Sequence, residues 1–235
     1  MTDTDFLSRY DPEDYDRPSV TVDLVLLGIV SGALSALLLK RARAPQRGRW
    51  ALPGGFVGID ESLEDAAARI LAEKAGLRSA HLEQLYTFGA VDRDPRMRII
   101  SIAYMALLDE ATFVAVERSG AGLRRARLAM DDGAPLDDAG MPLTLAFDHQ
   151  AILAVARDRL MGKIDYSDLG FAFLPERFTL RQLQDVHEAI RGTPLNKPAF
   201  RRRMLDRGWL EPTGEREPDA SHRPAELFRF RKDPS

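Results

Sequence analysis

Runs of hydrophobic residues in the first half of the chain predict buried strands. Residues 20–30 (VTVDLVLLGIV) and 33–42 (ALSALLLKRA) are rich in aliphatic side chains, and Ser31-Gly32 between them is a turn signal. The apolar stretch Leu24–Leu39 is 16 residues long, whereas a membrane-spanning helix needs about 20 residues. We therefore expect two strands joined by a turn, and no membrane span.

The segments that follow alternate between strand and loop patterns. Residues 81–91 (HLEQLYTFGAV) and 98–108 (RIISIAYMALL) predict two more strands on either side of the polar stretch 92–96 (DRDPR), and 113–119 (FVAVERS) predicts another strand. Residues 120–142 contain the clusters Asp-Asp-Gly and Asp-Asp-Ala-Gly, which favour a loop. Together these patterns predict a mixed sheet.

In the second half of the chain the apolar residues follow helical spacing. They predict a connecting helix from His149 and a second helix after Thr179, its expected N-cap. The apolar faces consist of Ile152, Leu153, Ala156 and Leu160 in the first helix, and Leu180, Leu183, Val186 and Ile190 in the second. Gly192-Thr193-Pro194 ends the second helix, and a basic helix is expected from about Asn196 to Arg207, before two strands joined by a polar loop. This order is that of a winged helix-turn-helix.

The helix predicted over residues 63–75 belongs to a recognisable motif. Ser62 before it is a suitable N-cap, and apolar residues recur along one face. The residues that follow the spacing of a Nudix box are Gly55, Glu61, Arg69, Leu71, Glu73, Gly76 and Leu77. Ile70 and Lys74 stand where that box has glutamate. The segment therefore resembles a Nudix box that lacks part of its metal-binding set.

The two departures bear on hydrolysis. In enzymes with this box, the resemblance implies, carboxylates on the polar face of the helix hold a divalent metal against a diphosphate. Magnesium requires hard oxygen ligands in near-octahedral geometry. Ile70 offers no lone pair and the ammonium of Lys74 repels a cation, so Glu73 alone is a poor site. We expect no metal site, no catalytic residue and a loss of efficient hydrolysis.

Composition is ordinary, but charge is unevenly distributed. The 235 residues are 45% hydrophobic, carry a net charge of −3 and include no cysteine, which excludes disulfides and fits a reducing cytoplasm. The acidic N-terminus is no signal peptide, and we expect residues 1–18 to be a flexible segment. Residues 176–235 contain 13 Lys and Arg and 10 Asp and Glu, a net charge of +3, so residues 1–175 carry a net charge of −6. Residues 191–210 alone carry +5, as an anion-facing surface does.

The basic helix supplies candidate DNA contacts. On a helical wheel Phe200, Met204 and Leu205 face the core. The residues expected to face outward, toward base edges, are Asn196, Arg202 and Arg203, because guanidinium pairs with guanine in the major groove. The residues expected to contact phosphates or to set register are Thr179, Lys197, Arg201, Arg207 and, in the predicted wing, Arg216 and Arg223.

Several segments together resemble the Nudix-related transcriptional regulators of NAD metabolism. They are RGRWALPGGFV, the degenerate box, TFGAVDRDPR, AFDHQAIL, FLPERFTLRQLQDVHEAI, LNKPAFRRRML and RPAELFRF. The resemblance implies an α+β chain with a Nudix α/β/α sandwich and a winged helix-turn-helix. It further implies a homodimeric repressor on palindromic operators of NAD biosynthesis or salvage genes, with ADP-ribose or a related NAD metabolite as effector and no required cofactor. Ala199 departs from the family, where asparagine is common, so base preference is expected to differ.

Residues around the box suit such an effector. Guanidinium groups hold diphosphates well, and the candidates lie in two loops: Arg47 and Arg49 in one, Arg93 and Arg96 in the other. Stacking on adenine is expected from Trp50, Phe56 or Tyr86, and close backbone approach from Gly54 and Gly55. Beside Glu73, Lys74 is expected to neutralise phosphate in place of metal. His149 is expected to be a packed or capping residue rather than a ligand.

The expected organisation is a Nudix-like effector domain over residues 19–148, a connecting helix over 149–165 and a winged-helix domain over 166–235. Three other functions stay open at this point. They are an active ADP-ribose pyrophosphatase with an appended DNA-binding module, a regulator of the same architecture that senses a sugar, and a Nudix domain with a protein-binding tail. Release of AMP from ADP-ribose would mark the first, and absence of salt-dependent DNA affinity the last.

Overall fold

The computed structural model describes residues 2–78, 80–218 and 224–231 and builds most of them around an eight-stranded mixed sheet. Its strands are β1 (Ser19–Val30), β2 (Ala33–Lys40), β3 (Trp50–Ala51), β4 (Gly54–Phe56), β5 (His81–Phe88), β6 (Ile99–Leu108), β7 (Leu123–Leu128) and β8 (Pro135–Leu136). The order is β5-β6-β1-β2-β7-β8, with β3 paired to β2 and β4 to β1. Strands β1 and β6 are parallel and the other pairs are antiparallel.

Helices cover both faces of this sheet. The helices of this part are α1 (Asp3–Leu7), α2 (Leu63–Ala75), α3 (Glu110–Arg118) and α4 (His149–Lys163). Side chains of β1 alternate between two cores: Leu24 and Leu26 pack with α2 and α3, and Val25 and Leu27 pack with α4. Burial on both faces explains the unbroken apolar run. The predicted α/β/α sandwich with a mixed sheet is confirmed.

Two predictions in this domain were wrong. Residues 113–118, predicted as part of a strand, lie in α3, and Ser119 is its C-cap. The helix is capped at its start by Asp109, which accepts a hydrogen bond from the Thr112 amide at 3.0 Å. Phe113 and Val116, one helical turn apart, face the core. Residues 120–142, predicted as a loop, contain β7 and β8. Arginines at positions 124, 125 and 127 lie on both faces of β7 among its buried residues, and so hid the alternation that marks a strand.

The N-terminal segment and the helix lengths bear on two further predictions. Residues 2–18 hold α1 and a short 3-10 turn and are exposed throughout; their flexibility stays a prediction. Among the described residues, no helix has both the length and the apolar character that crossing a bilayer demands.

The C-terminal part forms a small second sheet packed on two helices. Its elements are β9 (Phe178–Thr179), α5 (Leu180–Arg191), α6 (Lys197–Asp206), β10 (Leu210–Arg216) and β11 (Glu226–Phe230). The strand order β10-β11-β9 and the helix pair make the predicted winged helix-turn-helix. Phe200 and Met204 are buried as predicted, but Leu205 is 43% exposed and its predicted burial was wrong. The short helix α6 has a narrow apolar stripe, and Leu205 lies one step round from it.

Candidate effector pocket and DNA-binding surface

The box residues that match the Nudix pattern hold the loop before α2. Ser62 caps α2 by accepting from the Asp65 amide, and Gly76 ends it with a φ of 68°. Arg69 donates to both carboxylate oxygens of Glu61, at 2.9 and 2.5 Å, and to the Phe56 carbonyl oxygen at 3.0 Å. These bonds from Arg69, with one from the Gly58 amide, lower the pKa of Glu61 to about 2. The residues that match the motif therefore hold the loop between β4 and α2 in place.

The positions that depart from the box do not fit a metal. Ile70 is fully buried in the core between α2 and the sheet, and a side-chain carbon added at Gly55 would lie 3.3 Å from its Cδ1 atom. Glu73 is exposed, with one carboxylate oxygen 3.5 Å from an Arg69 nitrogen, and Lys74 is exposed beside it. A hydrocarbon, an ammonium and one paired carboxylate do not provide the oxygen cage that magnesium requires.

A buried network of charges lies next to strands β1 and β4, on the face of the sheet that α4 covers. Arg93 donates to both carboxylate oxygens of Asp148, at 2.9 and 2.6 Å, and lies 3.6 Å from Asp23. Ser101 also donates to Asp23, at 2.5 Å. The Arg93 side chain is only 4% exposed. Its guanidinium compensates buried carboxylates, and its predicted contact with the effector stays a prediction. Asp23, inside an apolar strand, gave no sequence signal of this role.

His149 completes the network as the packed residue that was predicted. Its Nδ1 accepts a hydrogen bond from the Leu52 amide at 2.8 Å, so the proton of the neutral ring is on Nε2, 3.8 Å from Asp23. Burial lowers the pKa of His149. Gly54 lies against the same carboxylate, because a side-chain carbon there would come within 2.3 Å of an Asp23 oxygen. Gly54 is therefore required for packing.

Aromatic rings and guanidinium groups meet at the surface above the network. Asp94 holds Arg96 through two bonds, at 3.0 and 2.7 Å, with the Arg96 Cζ 5.8 Å from the Phe56 ring and 6.0 Å from the Phe147 ring. Arg41 lies 4.6 Å from the centre of the Phe147 ring. Burial first, then the nearby Arg96, lower the pKa of Arg41. Two like charges held close together over aromatic rings suit an anionic ligand with a flat base.

Sequence reasoning missed Arg41 and Phe147 in this group. Phe147 has a φ of 53°, an unusual backbone for a bulky residue, which was not visible in the sequence. Of the other candidates, Arg47 and Arg49 are exposed in the loop between β2 and β3, and Trp50 is half-buried against the core below α4. Their roles, and those of Gly55, Glu73 and Lys74, stay predictions.

The helix caps account for two of the predicted DNA contacts. Thr179 is 3% exposed and caps α5: its hydroxyl accepts from the Gln182 amide, while Gln182 accepts from the Thr179 amide. The buried side chain thus acts as a helix cap, and its predicted contact with DNA stays a prediction. Asn196 caps α6 in the same way, through the Ala199 amide, but remains exposed.

The basic residues of α6 divide between two directions. Lys197, Arg201 and Arg202 are exposed on its outer side. Arg203 lies 3.5 Å from the Asp165 carboxylate, and the Arg207 guanidinium binds the Asp165 carbonyl oxygen. Both side chains turn toward the chain that follows α4, so Arg203 does not face outward as the helical wheel predicted. Contacts of Arg203 and Arg207 with DNA stay predictions.

A cleft of about 440 Å³ separates α6 from the strands of the wing. The basic residues that line it are Arg181, Lys197, Arg201 and Arg216, and Glu226 is the acidic residue among them. Arg181 was missed by sequence reasoning, although its place two residues after the cap Thr179 sets it at the start of α5. Arg223, and His222 beside it, lie outside the described residues. The cleft gathers positive charge where a recognition helix meets its wing.

Comparison with known proteins matches both halves of this geometry. Residues 19–150 match the NUDIX domain family and residues 170–230 match the NrtR DNA-binding winged helix domain. An ADPR-responsive transcriptional repressor of Acinetobacter baylyi is 39% identical over 96% of this chain and 87% of its own length.

Two solved structures are similar over large parts of the chain. Shewanella oneidensis NrtR complexed with a 27mer DNA is 37% identical, with a TM-score of 0.78 over 90% of this chain and 93% of that one. The NUDIX domain of the same Shewanella protein complexed with ADP ribose is 32% identical, with a TM-score of 0.52 over 68% of this chain and 99% of that domain. The chain therefore belongs to the NrtR family, with a Nudix domain followed by an NrtR-type DNA-binding winged helix domain.

Proposed function

We propose that this protein is a transcriptional repressor that binds operator DNA through its winged helix and responds to ADP-ribose, or a related NAD metabolite, in its Nudix domain. The similarity to an ADPR-responsive repressor over nearly the whole chain supports this function, as do the related structures with DNA and with ADP ribose. We further propose that it acts in the cytoplasm as a homodimer on palindromic sites of NAD biosynthesis or salvage genes. The domain boundaries at 148 and 165 are part of the proposal, since α4 spans the residues between them.

The observation that carries the proposal is the composition of the box helix. Ile70 is buried and Lys74 exposed at the two positions where the Nudix box has glutamate, and Arg41 and Arg96 lie together beside the Phe147 ring at the surface of the same domain. Such a surface attracts a diphosphate without the oxygen ligands that would hold magnesium for its cleavage. The Nudix domain then binds its nucleotide and does not turn it over.

Lys74 offers a direct test of how the effector is bound. Lys74→Glu is expected to weaken binding of ADP-ribose in the absence of metal about tenfold, because it replaces a charge that neutralises phosphate with one that repels it. Isothermal titration calorimetry with EDTA present measures the affinity. Arg78→Glu, an equal change of charge just beyond α2, is the control and leaves the affinity near that of the wild type. Equal affinities for all three proteins contradict the assignment of Lys74.

Hydrolysis and DNA response are tested on the unmodified protein. With ADP-ribose and magnesium, AMP is not expected to accumulate. AMP release at many turnovers instead supports the pyrophosphatase alternative, which the retained Glu61, Arg69 and Glu73 favour. A duplex from upstream of the protein's own gene is titrated with and without ADP-ribose. An affinity that is independent of the nucleotide, for this duplex and for one selected from a random library, overturns the proposed response.

A further inference from the structure

The turn after α4 brings one carboxylate to three arginines of the winged helix. Asp165, two residues beyond α4, binds the guanidinium of Arg191, the last residue of α5. Its other carboxylate oxygen is 3.5 Å from Arg203 of α6, and its carbonyl oxygen accepts from Arg207, the C-cap of α6. Both helices of the helix-turn-helix are therefore held by a single residue from outside them.

This junction is half-buried and incompletely satisfied. The side chains of Asp165, Arg191 and Arg203 are 37%, 39% and 40% exposed. In the described part of the chain, the buried side-chain atoms without a hydrogen-bond partner are Asp165 Oδ1, Arg203 Nε and His187 Nδ1, and all belong to this cluster. Ion pairs that are this exposed contribute little to stability, so a small shift of Asp165 rearranges the junction at little cost.

Helix α4 is fixed to the Nudix domain along its whole length. Asp148 precedes its first residue and holds Arg93 in the buried network, next to Phe147 at the surface of the candidate effector pocket. Toward its other end, Arg159 and Lys163 donate to Glu83 of β5, at 2.8 and 2.7 Å. A helix of 15 residues is about 22 Å long. If the pocket end of α4 is displaced and the helix moves as a rigid rod, the displacement reaches Asp165.

We propose that Asp165 is the positioning residue through which the Nudix domain sets the orientation of the recognition helix α6. Its grip on Arg191, Arg203 and Arg207 aligns the outer face of α6, which presents Arg201 and Arg202. It also draws Arg203 of α6 and the C-cap residue Arg207 away from the outer face of the helix, and so away from DNA phosphates. Transmission of an ADP-ribose signal by this residue rests on the proposed function, whereas its effect on alignment does not.

The test uses Asp165→Asn in the full-length protein, with Asp158→Asn, an exposed carboxylate on α4, as the matched control. The probes are a duplex that the wild-type protein selects from a random library and a scrambled duplex of equal composition. Asp165→Asn is expected to reduce the ratio of the two affinities about tenfold and to strengthen binding of the scrambled duplex, with a steeper salt dependence as freed arginines reach phosphates. Simple loss of folded protein would weaken both.

A second variant keeps the test decisive if Asp165→Asn folds poorly. Arg203→Gln removes the arginine side of the same contact and is expected to lower the affinity ratio. The double variant is expected to lower the ratio little further than either single variant. Asp165→Glu is expected to restore most of the ratio. Wild-type ratios in Asp165→Asn and Arg203→Gln overturn the inference. A wild-type protein insensitive to ADP-ribose overturns the proposed function alone, because the ratio is measured without nucleotide.

Discussion

At the scale of single residues, His187 has an environment that gives folding a pH dependence. It is 3% exposed, its ring lies 4.9 Å from the Phe200 ring, and Arg203 is among the charges around it. Burial first, then Arg203, lower the pKa of His187 from 6.5 to about 4. The unfolded chain takes up a proton near pH 6.5, and the folded protein only near pH 4. Stability from this residue is therefore present above pH 6.5 and is lost as the pH falls toward 4.

The size of this effect follows from the shift in pKa. The free energy of unfolding is expected to fall by about 3 kcal/mol between pH 6.5 and 4 on account of His187. Urea unfolding at several pH values measures it, and His187→Gln is expected to flatten the dependence by a large part of that amount. His81→Gln, at an exposed histidine, provides the control. If His187→Gln keeps the wild-type dependence of stability on pH, the effect does not come from His187. His149, whose pKa is also lowered, would then account for it, because it acts in the same direction.

Arg93 shows why some single residues resist prediction from sequence. It stands in the polar stretch Asp92–Arg96, where an arginine beside a Nudix box suggests a ligand contact. Its partner Asp148 is 55 positions away, and Asp23 lies within an apolar strand. The ion pair exists only once β1, the loop before β6 and the start of α4 come together. By contrast, Ile70 could be interpreted from the sequence, because the helical spacing of α2 alone places this residue on the apolar face, at a position where the Nudix box has glutamate.

At the scale of elements, the capping box of α5 makes the role of Thr179 measurable. Thr179→Ala removes the acceptor of the Gln182 amide and is expected to cost about 1 kcal/mol in the free energy of unfolding. Since the side chain is buried, the slope of DNA affinity against salt concentration is expected to stay unchanged. Denaturant titration and fluorescence anisotropy measure the two quantities. Thr193→Ala, at an exposed threonine, controls for the substitution. A lower salt slope with unchanged stability would instead show that Thr179 contacts DNA.

Elements defined by local chemistry were predictable, and those defined by neighbours were not. Ser62 and Thr179 cap their helices as predicted, and the turn at Ser31-Gly32 joins β1 to β2. The segment 113–119 has three β-branched or aromatic residues and so favoured a strand by composition. Its helix depends on the N-cap Asp109 and on the packing of Phe113. The Phe113 ring occupies the space that a side chain at position 28 would fill, and Gly28 leaves that space open.

At the scale of the whole molecule, the two domains share one continuous core. Val186 and Ile190 of α5 belong to the same buried cluster as Ile152 of α4 and Val25, Leu27 and Ile29 of β1. The winged helix is thus packed against the effector domain rather than tethered by a linker. The order of elements could be read from the sequence, but this packing depends on which apolar faces meet, which periodicity alone does not specify.

The same arrangement decides which charges are available to DNA. Arg181, Lys197 and Arg201 line the open cleft beside the wing, and Arg181 lies 3.7 Å from Asp185 of the same helix. Arg177 is paired more closely, with Glu215 at 2.5 Å. Each phosphate contact releases bound counterions, so changing one of the three cleft residues to Gln is expected to lower the slope of log affinity against log salt by about 0.9. Anisotropy titrations at several salt concentrations measure this slope.

Arg177→Gln is the matched control for charge, and its slope is expected to stay at the wild-type value because that guanidinium is already neutralised. Arg202→Gln, on the outer face of α6, is expected to act differently: it relaxes the preference among base pairs about tenfold and leaves the scrambled duplex bound nearly as before. Equal losses of slope for Arg177, Arg181 and Arg201 would mean that net charge alone governs binding, and the cleft would then have no particular place in the DNA interface.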